Sequence, residues 1–480
     1  MKAFVKTFSL YGIVPVANKL VGFFLIPVYT RVFAPEDFGV LEMFRTAAMF
    51  AVFLVHLQIY TAVSRYFFEY KEFDVKKKLV STGLWFTVLT GILVCFLTFS
   101  TESFVLNKLF GHNEYKHIYK YVILWIPLTA LNSYFNVMMR LIKAQNYFVI
   151  FSIIQMILRV SSIILFVVVL KMGVVGVFMG QIVGALTGIF SFGFKIRKYI
   201  SFTVNWYYVL KFLKFSMPLV PGLLLMGADK LIVNYLIQDN LSYHELGLYS
   251  IAIRLSGALM IIHEALRLAW RPYLYELINK QEKSYKSEVA SIYKLILAVL
   301  VLITYPIILF GEEIIKIIAG TEYLASNLVL GFVLLGSILR PLKLIVGIGP
   351  EITKKTYYMT VVEIFHFLYT VFMITAFIRW FGFLGVGITI FTGELMRFVL
   401  LWLITHKQLK LPIPVLYTFF TFLFIILTNL FLINMDVHVL IRILVLISFS
   451  LFIFMNNKLL VQKSYLVLKG KMKINSKSEK

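Results

Sequence analysis

The chain has 480 residues and a net charge of +24; it is 60% hydrophobic, only 15% charged, and has a mean hydropathy of +0.87. Apolar residues outnumber charged ones about fourfold, roughly twice the excess of a soluble domain, which excludes a soluble globular enzyme and a disordered chain. Apolar stretches of ~20 residues rather than alternation exclude an outer-membrane barrel, and the single cysteine, Cys95, excludes a disulfide scaffold or a thiolate metal cluster.

The composition describes an all-α polytopic membrane protein. In chain order, about fourteen stretches are long enough to span: 10–32, 39–63, 79–100, 119–139, 147–170, 173–194, 215–237, 246–270, 289–311, 324–348, 357–378, 383–405, 413–433 and 437–457. At about 34 residues per span, no room remains for a catalytic domain outside the membrane. Lys2 and Lys6 precede the first stretch as in a signal peptide. That stretch lacks a small-residue cleavage site and contains Lys19, so it reads as a retained helix.

Orientation follows from the lysine and arginine bias of the short loops. With the N-terminus inside, cytoplasmic segments hold 29 of these residues and the opposite loops 7, so both termini are expected in the cytoplasm. Most of the positive charge is then a topology signal and an attraction to anionic lipids, with no need for nucleic acid.

Eleven basic residues remain in or near the spans: Lys19, Arg45, Arg159, Lys230, Arg254, Arg267, Lys294, Arg340, Lys343, Arg397 and Arg442. Each would cost ~2.5–3.5 kcal/mol at a helix centre facing lipid. Only five carboxylates share these regions: Glu42, Asp229, Glu264, Glu363 and Glu394. The excess is expected to line a hydrated interior, some side chains snorkelling from helix ends.

A repeat is visible at an offset of 209, where Gly173, Gly176, Val177, Gly184 and Leu186 superpose on Gly382, Gly385, Val386, Gly393 and Leu395. Ala17-Asn18-Lys19-Leu20 likewise echoes Ala228-Asp229-Lys230-Leu231. These echoes predict two six-helix halves, 1–200 and 201–408, then two further helices at 409–457 and a basic tail at 458–480. Six is even, so both halves start on the same side and form parallel repeats with a substrate path at their interface.

This architecture and the segment Leu25-Ile-Pro-Val-Tyr-Thr-Arg31-Val-Phe-Ala-Pro35-Glu36-Asp-Phe-Gly39 resemble the polysaccharide branch of the multidrug/oligosaccharidyl-lipid/polysaccharide (MOP) exporter superfamily, best its O-antigen flippase (Wzx) group. The resemblance covers nearly the whole chain. It implies a bacterial inner-membrane flippase that moves undecaprenyl-pyrophosphate-linked sugar units to the periplasmic leaflet. It further implies coupling to H+ or Na+, and polysaccharide polymerase as a candidate contact.

The residue types suit that cargo independently. A pyrophosphate cannot cross ~30 Å of hydrocarbon unaided, and fixed cations, arginines above all, offer it charge-assisted hydrogen bonds. The candidate headgroup ligands are Lys19, Arg45, Arg159, Lys230, Arg254, Arg340 and Arg397; the candidate gating or ion-coupling groups are Glu42, Asp229, Glu264, Glu363 and Glu394. The pairs Glu42/Arg45, Glu264/Arg267 and Glu394/Arg397 each share a helical face and can neutralise themselves, or act as gates in which phosphate displaces the carboxylate. Glu363 and His366 also share a face, as a satisfied interior carboxylate or as a proton relay.

No Walker A sequence, His-Glu-x-x-His or Gly-x-Ser-x-Gly elbow is present, so neither a catalytic residue, a metal site nor a cofactor is expected. Three other readings stay open. A lipid II flippase would share architecture and carrier lipid. A multidrug cation antiporter should bind through carboxylates, whereas this interior is basic. A membrane-embedded sugar polymerase should show a large external loop, but the longest here, from Thr101 to Ile118, is short.

Overall fold

The computed structural model describes residues 14, 17–18, 20–111, 114–257, 259–279, 285–353, 355, 357–435 and 437–468. Among these, twelve helices are long and apolar enough to cross a membrane, and Tyr243–Ser256 with Leu259–Arg267, bent by 50° at their junction, make a thirteenth span when taken together. All thirteen coincide with the stretches expected from 39–63 onward. Of the expected first span, 10–32, the structure describes chiefly a shorter apolar helix, α1 (Leu20–Thr30). Lys2, Lys6, Lys19 and the tail from 469 lie outside the described residues.

The chain divides into two compact units, Met1–Ile251 and Ala252–Lys480. After α1, unit 1 contains α2 (Pro35–His56), α3 (Ile59–Phe67), α4 (Phe73–Ser100), α5 (Glu102–Phe110), α6 (Lys116–Leu141), α7 (Gln145–Ile164), α8 (Gly173–Ile196), α9 (Trp206–Ser216), α10 (Val220–Asn240) and the start of α11 (Tyr243–Ser256). The Pro-Glu-Asp-Phe-Gly segment begins α2. Pro35 occupies its first turn, where no intrahelical N–H is needed, and the Asp37 carboxylate accepts the Ala34 N–H at 3.3 Å. Gly39 lets the α11 backbone approach, since a Cβ there would sit 2.0 Å from the Tyr243 carbonyl oxygen.

The stretch expected as one span over 39–63 is broken. Leu57 and Gln58 both adopt left-handed backbone, φ 42° and 58°, which ends α2 at His56 and starts α3 in a new direction. Neither residue is a glycine, so composition carried no sign of the break. Further on, α8 packs against α6 and α7, and α2 against α10. The segment after α8, which contains the expected boundary at 200/201, is strapped to α4: Ser81 Oγ donates to the Tyr199 carbonyl at 2.9 Å, Trp85 Nε1 to the Ser201 carbonyl at 2.8 Å, and the Asn205 N–H to Thr82 Oγ1 at 3.2 Å.

Unit 2 contains the end of α11, then α12 (Leu259–Asn279), α13 (Tyr285–Leu309), α14 (Gly311–Ile318), α15 (Asn327–Val346), α16 (Ile348–Ile352), α17 (Tyr357–Phe381), α18 (Leu384–Leu409), α19 (Val415–Asn434) and α20 (Val439–Leu468). Its core is α15, buried nearly all round and packed most extensively on α18.

The glycines of the 209-residue echo do the same work in each unit. Gly173 and Gly382 both have φ 59°, a left-handed turn that starts the second helix of a hairpin. A Cβ on Gly176 would lie 2.9 Å from the Phe166 carbonyl carbon, and one on Gly385 2.1 Å from the Phe377 carbonyl oxygen. Both hairpins therefore close backbone to backbone, as small residues permit in membrane helices. Gly385→Val should lower stability by about 1–3 kcal/mol through overpacking, visible as an earlier melt of detergent-solubilised protein; an unchanged melt would mean that the hairpin can spread freely.

Candidate functional site

Unit 1 encloses a cavity of about 460 Å³ among α2, α6, α7, α8 and α10. Its charged lining is Arg45, Arg159 and Lys230. Glu42, one turn before Arg45 on α2, is buried and holds two of these cations: Lys230 Nζ donates to Oε1 at 3.1 Å, and Arg45 Nη1 lies 3.7 Å from Oε2. The carboxylate is 8% exposed, whereas the Lys230 and Arg45 side chains are 55% and 45% exposed, so their cationic ends remain reachable from the open space. A second rung reinforces the pair one turn further along both helices, where Asn234 Nδ2 donates to Thr46 Oγ1 at 2.9 Å.

Arg159 reaches the same cavity from α7 and donates from Nη2 to Asn18 Oδ1 at 2.7 Å. Its aliphatic stem lies against Gly184, where a Cβ would come within 2.8 Å of the Arg159 Cβ. One turn on, a Cβ at Gly188 would fall 2.0 Å from Asn132 Oδ1 and 2.7 Å from Gln155 Nε2. Glycines at these two positions of α8 therefore make room for polar side chains. Three cations lining one cavity suit an anion, and low-dielectric walls strengthen that preference.

Unit 2 gathers a different cluster. Glu394 on α18 is 3% exposed and accepts from Arg340 Nε at 3.0 Å, Lys343 Nζ at 2.6 Å and Arg397 Nη1 at 3.1 Å. Arg397 also donates from Nη2 to the Glu363 carboxylate. His366 is buried beside Gly393, whose missing Cβ would meet the imidazole Nε2 at 3.0 Å. Three cations and two carboxylates leave this cluster with one positive charge to spare.

Each candidate among the described residues thus has a place. Arg45, Arg159 and Lys230 meet in one cavity above Glu42, and Arg340 and Arg397 meet at Glu394 and Glu363. Asp229 sits on α10 next to Lys230, and Arg254 lies in the last turn of α11. Glu264 is absorbed locally, its Oε2 accepting from Arg267 Nη2 at 2.7 Å and Nε at 2.9 Å on an exposed face of α12. Lys19 lies outside the described residues. Two of the other interior cations are anchors: Arg442 donates to Glu313 at 2.8 Å and to the Val437 carbonyl at 2.9 Å, and Lys294 to the Asn456 carbonyl at 2.8 Å.

Sequence reasoning missed Lys343 as a cluster member and missed the uncharged lining of the unit 1 cavity, which includes Thr129, Asn132, Gln155 and Gln181. One signal was available. Gly176, Gly180, Gly184 and Gly188 recur every fourth residue and place one glycine-clad stripe along α8.

Comparison with known proteins agrees with this fold. The chain is similar to "Lsg locus putative protein 1" of Haemophilus influenzae, 23% identical over 340 residues that cover 68% of this chain and 79% of that protein. Among solved structures, it superposes on the lipid II flippase MurJ in an inward closed conformation with a TM-score of 0.67 and 15% identity, covering 95% of this chain and 99% of the other. A multidrug resistance MATE family transporter of the MOP superfamily, inward-facing, gives a TM-score of 0.62 at 12% identity, with 82% and 94% covered. These likenesses identify the fold as that of the MOP superfamily. The model of the polysaccharide biosynthesis protein family matches residues 4–278, more than half of the chain, and this multi-pass membrane protein belongs to that family.

Proposed function

We propose that this protein flips undecaprenyl-pyrophosphate-linked oligosaccharide units across the bacterial inner membrane for surface polysaccharide, O-antigen or capsule, by alternating access coupled to H+ or Na+. The observation that carries the reading is the unit 1 cavity, where Arg45, Arg159 and Lys230 face open space and the Glu42 carboxylate beside them is buried. An anionic headgroup finds there the charge-assisted donors that hydrocarbon denies it. A cation substrate would be repelled by the same surface. Membership in the polysaccharide biosynthesis family supports a glycan-linked cargo rather than a drug.

In this reading Glu42 holds Lys230 and Arg45 until phosphate replaces it, which makes it the gating carboxylate of unit 1. The halves 1–200 and 201–408 act as parallel repeats with both termini in the cytoplasm. Arg340, Arg397 and Lys343, bound to Glu394, form a reserve of positive charge in unit 2 that is more tightly neutralised and contributes to structure first.

The test is complementation of surface polysaccharide in a strain lacking its own flippase, with membrane abundance measured in parallel. Wild type should restore the glycan. Lys230→Ala should reduce it about tenfold, the scale of one lost charge-assisted hydrogen bond, and Lys230→Arg should retain more activity than Lys230→Gln. Full restoration by Arg159→Ala combined with Lys230→Ala at normal abundance would remove the cavity cations from the mechanism. Rescue of a murein-precursor flippase deficiency, without rescue of surface polysaccharide, would reassign the cargo to lipid II.

A further inference from the structure

The cations that line the unit 1 cavity are held in two different ways. Arg45 and Lys230 share the buried carboxylate of Glu42, at 3.7 and 3.1 Å. Arg159 is held by an amide instead: its Nη2 donates to Asn18 Oδ1 at 2.7 Å, and no carboxylate pairs with it among the described residues. The ionisable groups near enough to act on it are Tyr29 and Arg45, neither of which is negative at neutral pH.

An amide is an unusual partner for a half-buried arginine. Cations inside a membrane protein are commonly matched by carboxylates, because an amide satisfies a donor without cancelling the charge. The internal echo sharpens the contrast. Ala17-Asn18-Lys19-Leu20 corresponds to Ala228-Asp229-Lys230-Leu231, so the second copy carries a carboxylate where the first carries an amide. That amide is aimed: Asn18 Nδ2 donates to the Val14 carbonyl, one helical turn earlier, at 3.0 Å, which turns Oδ1 toward the guanidinium. On the other side Gly184 makes room for the arginine's stem, since a Cβ there would fall 2.8 Å from Arg159 Cβ and 2.9 Å from its Cγ. Head and stem are both fixed, while the guanidinium keeps its full charge and the N–H donors that Asn18 does not use.

We propose that Asn18 is a positioning residue for the anionic cargo: it fixes Arg159 at the cavity through a hydrogen bond and, being neutral, leaves the charge available to phosphate. The proposal rests on the headgroup reading above and adds how one of its cations is held without being neutralised. A carboxylate in the same place would grip Arg159 more firmly and compete with the phosphate for it.

The experiment titrates inorganic pyrophosphate into the full chain in nanodiscs of zwitterionic phosphatidylcholine, with a melting midpoint taken on each sample. Wild type should bind. Asn18→Asp should match or exceed the wild-type midpoint and yet bind about tenfold more weakly, the scale of one charge-assisted hydrogen bond, a split that a merely structural role would not produce. Asn18→Leu, which removes the acceptor, should also weaken binding about tenfold, but by no more than about twofold in an Arg159→Gln background, where the positioned charge is gone. Wild-type affinity in Asn18→Asp would overturn the proposal while leaving the phosphate reading intact. So would a tenfold effect of Asn18→Leu that persists without Arg159, or a loss of affinity in both variants matched by a fall in their midpoints. Failure of the wild-type protein to bind would remove the headgroup reading itself, and this proposal with it.

Discussion

Glu394→Ala is expected to cost more folded protein than any other single change in unit 2, about 3–5 kcal/mol. Glu394 is the shared acceptor of Arg340, Lys343 and Arg397, at 3.0, 2.6 and 3.1 Å. Removing it takes the shared acceptor from Lys343 and Arg397 inside the bundle, where Glu363 still accepts from Arg397. Lys343 and Arg397, 14% and 16% exposed, cannot reach water without moving the helices that carry them. Glu394→Gln keeps an acceptor oxygen but loses the charge and should fall in between. Replacing Lys343 with Met in the Glu394→Ala background should recover part of the loss, because it removes one of the stranded charges. The measurement is the midpoint of thermal aggregation in detergent, together with membrane abundance. A Glu394→Ala midpoint within about 2 °C of wild type, less than 1 kcal/mol moves a domain of this size, would show that the cluster is hydrated and only loosely held.

Lys230→Glu should abolish transport, and its rescue should separate structure from function. The substitution puts a carboxylate against the buried Glu42, replacing an attraction at 3.1 Å with repulsion in the same place. Both abundance and activity should fall. Adding Glu42→Lys restores an opposite-charge pair between α2 and α10, so abundance should return to within about twofold of wild type, the residual scale of imperfect pair swaps. Activity should not return with it. The lysine would now occupy the buried position of the pair, while the carboxylate would occupy the side that is 55% exposed. An anionic headgroup would meet repulsion where it had met a cation, and glycan export in the complementation assay should stay at least tenfold down, as expected for a lost charge-assisted contact. Recovery of export in step with abundance would mean that Lys230 serves only to pair with Glu42.

The sequence alone determined what depends on composition and local period. Runs of ~20 apolar residues must be spanning helices because lipid satisfies no backbone hydrogen bonds, and thirteen of the expected spans appear in the structure. The glycines of the internal echo were legible for a related reason: a left-handed turn and a close backbone approach both demand the missing Cβ, so their spacing records geometry directly. The Glu-x-x-Arg pairs were legible as pairs, since three residues is nearly one helical turn.

Only the tertiary structure decided what each pair does. Glu264 and Arg267 close on each other, as their spacing alone suggests. Glu42 instead draws in Lys230 from 188 residues away, and Glu394 draws in Arg340 and Lys343 from a helix more than fifty residues earlier. A carboxylate in a low-dielectric bundle gathers every cation that packing brings within reach, and packing is set by which helix faces meet. The break at Leu57–Gln58 was hidden for another reason: both residues adopt left-handed backbone without being glycines, so no local pattern marks it.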